Sequence, residues 1–501
     1  MSNETLEKLI EHTRQTAILA SVDELLNWDQ RTLMPKSAEN YRAEQITLIN
    51  GMVHQRNTDP RLGEWLAELV DQYPVDSTDD AAVTVHRLYK QYGKERNVPA
   101  RLVEEISRAR VKAHSAWVRA RETNSFEEFA PYLKTIVKLF KEKTEAIGFT
   151  DCAYDVLLDD YEPDTKTSEV TAVFAELKDG LVPLIREIGE SKNRPDKSII
   201  ERSFDIDAQR KLGLNAASAI GFDFDAGRLD VTHHPFCCTV GPKDCRITTR
   251  YNQHHFSGAF FGTLHEAGHG LYEQGLREDQ FGLPPGEYCS LGIHESQSRL
   301  WENLVGRSKA FWEHFFPKAQ SAFSNSLGDV TLDQFYGAVN YVEPSLIRVE
   351  ADEATYSLHI IIRFEIEQAI FDGTLDVVDF PAAWNQKYVE YLGIEPPNDS
   401  DGVLQDVHWC EGLFGYFPTY ALGNLYAAQF FSAAEKEIGD LNSQFRNGEF
   451  QPLLNWLREN VHVTGKSRSA LGILKAATGE TLSPAPMIEG LRRKYSEIYS
   501  I

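Results

Sequence analysis

Along most of this chain apolar residues return at three- and four-residue steps, the period of an amphipathic helix. Leu102, Ile106, Ala109, Ala113, Trp117 and Ala120 form one such stripe, with Arg and Glu opposite. The same spacing predicts helices within residues 83–92, 131–147, 170–188 and 354–370. It recurs in Phe260, Phe261, Leu264, Ala267 and Leu271, with Gly275 as a stop signal, and residues 291–301 also read as helical. One segment breaks the period. Residues 233–251 contain Thr239-Val240, the turn Gly241-Pro242-Lys243-Asp244 and Ile247-Thr248-Thr249-Arg250-Tyr251, which predicts a β-hairpin. Loops fall at residues 73–79, 159–168, 192–197 and 395–402, all short. No repeat or linker divides the chain. The expected fold is mainly α, one large domain over residues 1–501 (two lobes around a cleft at most), with a small β element.

The 501 residues are 42% hydrophobic, ample for a large core. A net charge of −24 disfavours nucleic acid and anionic membranes as partners, because phosphate binding needs basic patches. The six cysteines, among them the neighbours Cys237 and Cys238, form no CxxC pair and read as free thiols of a reducing compartment. The first 18 residues mix charge throughout, unlike a signal peptide, and no apolar run reaches the length of a membrane span. The cytoplasm is the expected location.

Five residues carry the chemistry: His265-Glu266-Ala267-Gly268-His269. On a helix, positions i and i+4 share a face, so both imidazoles can reach one metal ion while Glu266 stays free as a general base. Zn²⁺ lowers the pKa of a bound water to near 7, and a base beside it points to hydrolysis of an amide. A catalytic zinc site needs a third protein ligand. The best candidate is Glu295, 26 residues beyond His269, after the loop residues Pro284-Pro285-Gly286, and His294 is its rival. The alternative is that Glu295 is a solvated helix residue. Gly268 and Gly270 weaken a helix by up to about 1 kcal/mol each, a cost that implies close approach of another group. A strand beside such a metal has a use of its own: an extended peptide can pair its backbone with an open edge.

The chain resembles the carboxypeptidase Taq family of metallocarboxypeptidases along nearly its whole length. The likeness rests on Trp28-Asp29-Gln30-Arg31-Thr32 with Met34-Pro35, on Asp244-Cys245-Arg246-Ile247-Thr248, on HEAGH, and on His294-Glu295-Ser296-Gln297. It continues through Ile347-Arg348-Val349-Glu350-Ala351-Asp352 and Gly402-Val403-Leu404-Gln405-Asp406-Val407-His408-Trp409. The resemblance implies a helical fold with a deep substrate groove, a small sheet at the site, a homodimer, and removal of single C-terminal residues from peptides with broad specificity. It supports Glu295 as the third ligand beside His265 and His269, with one divalent ion per chain, Zn²⁺ first and Co²⁺ or Mn²⁺ as substitutes. It implies Arg348 as anchor for the substrate's terminal carboxylate, against a plain ion pair with Glu350 or Asp352. Asp244, Arg246 and Thr248 would contact the substrate's N-terminal side; otherwise Asp244 and Arg246 only pair with each other. His408 would donate to the oxyanion or the substrate backbone, Tyr420 to the oxyanion, and Tyr416 would bind substrate; otherwise His408 is a core histidine beside Trp409 and the tyrosines are core packing.

Two competing functions remain open. One is a dipeptidyl carboxypeptidase or oligopeptidase on the same scaffold. The other is a catalytically silent peptide-binding protein that keeps its metal for folding, which the intact Glu266 argues against, since a structural site prefers four protein ligands and no base.

Overall fold

The computed structural model describes residues 2–501. The expected helices form: Ala100–Thr123, Phe126–Ile147 and Thr167–Glu190 contain the predicted stripes, and Tyr356–Asp372 starts two residues later than the predicted 354–370. In the first of these Leu102, Ile106, Ala113 and Ala120 are buried as the period requires. Trp117 lies half-buried, its indole N–H donating to the Leu404 carbonyl at 2.9 Å. Among the described residues no helix is long and apolar enough to cross a membrane. All six cysteines are free.

The chain divides into two compact units, each assembled from three separate stretches. Unit 1 comprises Met1–Glu95, Asp196–Val339 and Tyr426–Thr481. Unit 2 comprises Arg96–Pro195, Asn340–Leu425 and Leu482–Ile501.

Unit 1 holds a three-stranded sheet in the order β1-β3-β2, with β1 Gly227–Val231, β2 Cys237–Gly241 and β3 Asp244–Thr249. The predicted hairpin is β2–β3, antiparallel, with Cys237 opposite Ile247 and Thr239 opposite Cys245, and with an irregularity between Thr239 and Gly241. The third strand, β1, pairs parallel to β3 from Gly227–Cys245 to Val231–Thr249. This confines any peptide-pairing edge to the outer strands, β1 and β2. β3 is the central strand, and its backbone is taken on both sides.

Cys245, Ile247 and Thr249 of β3 are buried on the side that meets the helix Phe256–Glu273, the HEAGH helix. Thr249 Oγ1 donates to the Ala259 carbonyl and Cys245 Sγ lies 3.9 Å from the Gly270 carbonyl. The apolar residues whose spacing predicted this helix are buried: Phe260, Phe261, Leu264, Ala267 and Leu271 are all at most 4% exposed. Phe256, Phe260, Phe261 and Phe335 surround Trp312, with ring centroids 4.7–6.2 Å away. Edge-to-face and tilted aromatic packing of this kind adds to the area buried.

The two glycines do mark close approach. A Cβ on Gly268 would sit 2.6 Å from both the Gln297 carbonyl oxygen and Ser298 Cα, so backbone lies against backbone there. A Cβ on Gly270 would sit 2.4 Å from the Phe222 ring and 3.3 Å from Cys245 Sγ. Ala at Gly268 would force the helix Leu291–Arg299 away from the HEAGH helix, and Ala at Gly270 would have to displace the Phe222 ring.

Candidate active site

The HEAGH helix starts at a firm stop. His255 is its N-cap, and its Nδ1 accepts from the Gly258 backbone N–H at 3.0 Å. Ten residues on, His265 and His269 stack one turn apart, their ring centroids 4.8 Å from each other. The helix Leu291–Arg299 is capped by Ser290, whose hydroxyl accepts from the Ile293 N–H. Backbone contact at Gly268 seats this helix directly against the histidine pair, which brings Glu295 in. Glu295 Oε2 lies 3.8 Å from His265 Nε2 and 3.5 Å from His269 Nε2. The ligand atoms of the three residues fall within 4.8 Å of one another.

Those separations exceed a hydrogen bond, so the three atoms converge without bonding to each other. Each has a second anchor on its far side. His265 Nδ1 is 2.9 Å from Glu302 Oε2. His269 Nδ1 is 3.1 Å from the His294 carbonyl and 2.6 Å from His294 Nδ1, while His294 Nε2 reaches Glu273 Oε1 at 2.8 Å. Arg299 Nε donates to Glu295 Oε1 at 2.7 Å. With Nδ1 of each ring engaged in this way, Nε2 is the nitrogen left facing Glu295 Oε2. Two imidazole nitrogens and one carboxylate oxygen are a donor set that fits a borderline divalent cation with coordination positions to spare. His294, the rival ligand, lies against the opposite edge of the His269 ring and acts as its support.

Electrostatics separate the two rings. Burial works against a charged His265, but the Glu295 and Glu302 carboxylates outweigh it and raise its pKa. Burial and the neighbouring His294 push His269 well below the ordinary range, so it is neutral, as a ligand must be. Burial lifts Glu266 to about 7, against the pull of His265 and with the help of Glu295. That value suits a group that takes and returns protons near neutrality, and a bound cation would draw it down. For Glu302, burial is overridden by Arg299, His265 and Arg307, which hold it at about 2.

Asp244, Arg246 and Thr248 lie on β3 in the same unit. Arg246 forks onto Asp244 with Nε–Oδ1 2.7 Å and Nη2–Oδ2 2.8 Å, and its guanidinium stacks 4.2 Å over Trp28. Thr248 differs from expectation. It is fully buried, and its hydroxyl accepts from the Phe236 N–H and donates to the Phe236 carbonyl. It fastens β3 to the chain before β2 and presents nothing to a substrate.

In unit 2 a second cluster forms around Asp406. Arg348 gives it Nε and Nη2 at 3.0 and 2.8 Å, and Arg363 gives it Nε at 2.7 Å. Gln405 Oε1 ties both arginines together, accepting from the Arg348 backbone N–H and from Arg363 Nη2. The Arg348 partner is therefore Asp406, rather than Glu350 or Asp352. Asp352 instead caps its own turn, accepting from the backbone of Ala354, Thr355 and Glu343. Two guanidiniums against one carboxylate leave a net positive charge, with Arg348 5% and Arg363 0% exposed. Burial acts to raise Asp406, yet the two arginines hold it far below the usual carboxylate range. His408, with burial dominant over the attraction of Asp406, is lowered to about 4 and is neutral at physiological pH. Its ring packs on Phe417 at 4.5 Å and lies 5.4 Å from Tyr416. Tyr420 lies 5.4 Å from Tyr416 and 5.2 Å from the Arg348 guanidinium. Arg348, His408, Tyr416 and Tyr420 thus stand together.

Sequence reasoning left four members of these clusters without a role. Glu302 and Arg299 are seven and four residues after Glu295, on one helical face, so spacing could have found them. Asp406 lay within a quoted motif. Arg363 has no local signal, since only the fold brings it to Asp406.

Residues 8–495 match the family described as carboxypeptidase Taq (M32) metallopeptidase. The chain belongs to that family. Membership makes it a peptide hydrolase of the metallocarboxypeptidase type. It is 50% identical to thermostable carboxypeptidase 1 of Thermus thermophilus over 98% of each chain. It is 42% identical to carboxypeptidase 1 of Bacillus subtilis over 95% of each. Among solved structures, the M32 carboxypeptidase from Deinococcus radiodurans R1 superposes with a TM-score of 0.96 at 38% identity, covering 99% of this chain and 100% of that one. Metallocarboxypeptidase 1 of Trypanosoma cruzi superposes with 0.92 at 32% identity, covering 98% and 99%.

Proposed function

We propose that this metallopeptidase removes single residues from the C-terminus of peptides with broad specificity, using Glu266 as general base. The observation that carries the reading is the convergence of His265 Nε2, His269 Nε2 and Glu295 Oε2 beside the buried Glu266. These three would hold the ion, for which their nitrogen and oxygen donors suit Zn²⁺, with Co²⁺ or Mn²⁺ as substitutes. When bound, it supplies Lewis acidity, lowering the pKa of water and polarising a carbonyl.

The chain's own residues do the rest. Glu266, buried beside the three ligand atoms, takes a proton from the attacking water and passes it to the departing amine. Arg348 anchors the terminal carboxylate of the peptide. Three of its five N–H groups are directed at Asp406 and Tyr356, and the fixed guanidinium keeps two for a ligand. The net positive charge around Asp406 favours an anion there. His408, neutral, donates to the oxyanion or the substrate backbone together with Tyr420, and Tyr416 supports substrate beside them. Asp244 and Arg246, locked to each other, present a polar face to the N-terminal side of the peptide, with Thr248 as their brace.

A homodimer, implied by the family resemblance, gives a role to the helix Glu39–Asn57. It has no buried residue and leaves Tyr41, Leu48 and Met52 at 68%, 65% and 44% exposed. Six free thiols fit a reducing cytoplasm.

The test is digestion of one peptide in two forms, with a free and an amidated C-terminus, by metal-depleted and zinc-restored protein, read by mass spectrometry. Single residues should leave the free form only, and only with metal. Release of dipeptides would favour the oligopeptidase alternative. Undiminished cleavage without metal would end the proposal.

A further inference from the structure

Beyond Glu295 the helix Leu291–Arg299 gives way to a π-turn, Leu300–Val305. Such wide turns cluster at functional positions because they re-aim a side chain at the cost of poorer backbone bonds. Here the turn carries Glu302. Its Oε2 stands 2.9 Å from His265 Nδ1 and 3.0 Å from Arg299 Nη1. Arg299 uses its other edge on Glu295, Nε to Oε1 at 2.7 Å. One guanidinium therefore spans two carboxylates, and both carboxylates face the histidine pair. Arg307 adds a more distant contact, Nη2 to Glu302 Oε1 at 3.8 Å, while its guanidinium stacks 3.8 Å over Phe261. The side chains of Arg299 and Glu302 are 15% and 13% exposed, so solvent does little to screen them.

Two consequences follow for the ligand atoms. An imidazole whose Nδ1–H is bonded to a carboxylate is fixed in tautomer and ring orientation, and its Nε2 becomes a stronger donor. Glu295 Oε1 is turned to Arg299, while Oε2, which also accepts from the Ser298 hydroxyl at 3.3 Å, is the oxygen that lies toward His265 and His269. Without Arg299 the carboxylate could offer both. A second oxygen would crowd the ion, fill a position that substrate needs and lower its Lewis acidity.

We infer that Glu302 and Arg299 form a positioning clamp: Glu302 sets the His265 tautomer, and Arg299 restricts Glu295 to a single ligating oxygen. The inference rests on the reading of His265, His269 and Glu295 as metal ligands. Neither clamp residue touches the reacting atoms. A merely structural ion pair would alter unfolding temperature and leave metal binding as it was.

The test uses full-length apoprotein, with zinc affinity measured by competition against a chromophoric chelator and the Co²⁺-loaded protein examined by visible absorption. Glu302→Ala should weaken zinc binding by about 10- to 100-fold, and Glu302→Gln, which keeps shape and an acceptor oxygen, by less. Arg299→Lys keeps the charge but cannot span both carboxylates. Its cobalt spectrum should weaken and shift toward higher coordination, with kcat falling more than KM rises. If Glu302→Ala fails to fold, Glu302→Gln and Arg299→Lys still decide. Folded variants with wild-type zinc affinity and an unchanged cobalt spectrum would overturn the clamp. His265→Ala is the control for the underlying site. If it loses zinc while the clamp variants do not, the clamp alone is wrong; if it binds zinc like wild type, the metal site itself is wrongly placed.

Discussion

Replacing Gly268 with alanine tests how tightly the site depends on helix contact. In an open helix the change would stabilise by about 1 kcal/mol, since glycine is the poorer helix former. Here the new Cβ would lie 2.6 Å from the Gln297 oxygen and from Ser298 Cα. Carbon contacts settle at about 3.5 Å or more, so the two backbones must part by about 0.9 Å. Overpacking of this kind costs about 1–3 kcal/mol, and here backbone rather than a flexible side chain has to yield. The net expectation is a loss of up to about 2 kcal/mol, opposite in sign to the propensity effect. The movement also reaches Glu295, two residues before Gln297 on the pushed helix. Metal sites tolerate only about 0.2 Å in ligand distance, so zinc affinity should fall about tenfold or more. Unfolding of the apoprotein in denaturant gives the stability, and chelator competition gives the affinity. A Gly268→Ala protein that is more stable than wild type and binds zinc equally well would refute the reasoning.

Glu266→Gln should reduce kcat by about 10²–10⁴ while zinc content, measured by mass spectrometry of the native protein, stays at wild-type level. Arg348→Ala should erase the preference for a free over an amidated C-terminus, raising KM for the free form by roughly 10- to 150-fold, the worth of a charge-assisted hydrogen bond. His462 is buried against Gln297 with Nε2–Oε1 at 2.8 Å, and burial lowers its pKa to about 3. Above pH about 6.5 it is neutral folded or unfolded and contributes no pH dependence. As pH falls from there toward 3 the unfolded chain takes up a proton the folded one refuses, so stability is lost. The stability difference between wild type and His462→Gln should therefore shrink, or reverse in favour of the variant, between pH 7 and pH 4 in denaturant titrations.

The sequence made the HEAGH helix and its apolar face legible because both follow from local spacing. Gly268 and Gly270 even signalled close contact, although which backbone or ring approached could not be read from the glycines themselves. The hairpin was visible through its turn residues. β1 was not, because a parallel strand has no turn to announce it, and Gly227-Arg228-Leu229-Asp230-Val231 offers only a brief alternation. Thr248 was read with its neighbours as one polar set, but its hydroxyl is taken by the backbone of Phe236 within the same hairpin segment, a pairing that depends on register. The partner of Arg348 was sought two and four residues away and stands 58 away at Asp406. Ion pairs of that separation are created by topology, and no period or spacing encodes them.

The division of each unit into three stretches governs how the protein can be made. The chain passes between the units five times before it ends. A ribosome that has released HEAGH and Glu295 has yet to supply His462, whose ring braces Gln297 from 165 residues downstream. Throughout that interval the helix bearing Glu295 lacks its buttress, and the exposed apolar surface invites aggregation or chaperone capture. Unit 1 takes its last stretch from Tyr426–Thr481 and unit 2 from Leu482–Ile501, so a premature stop before Thr481 truncates both at once.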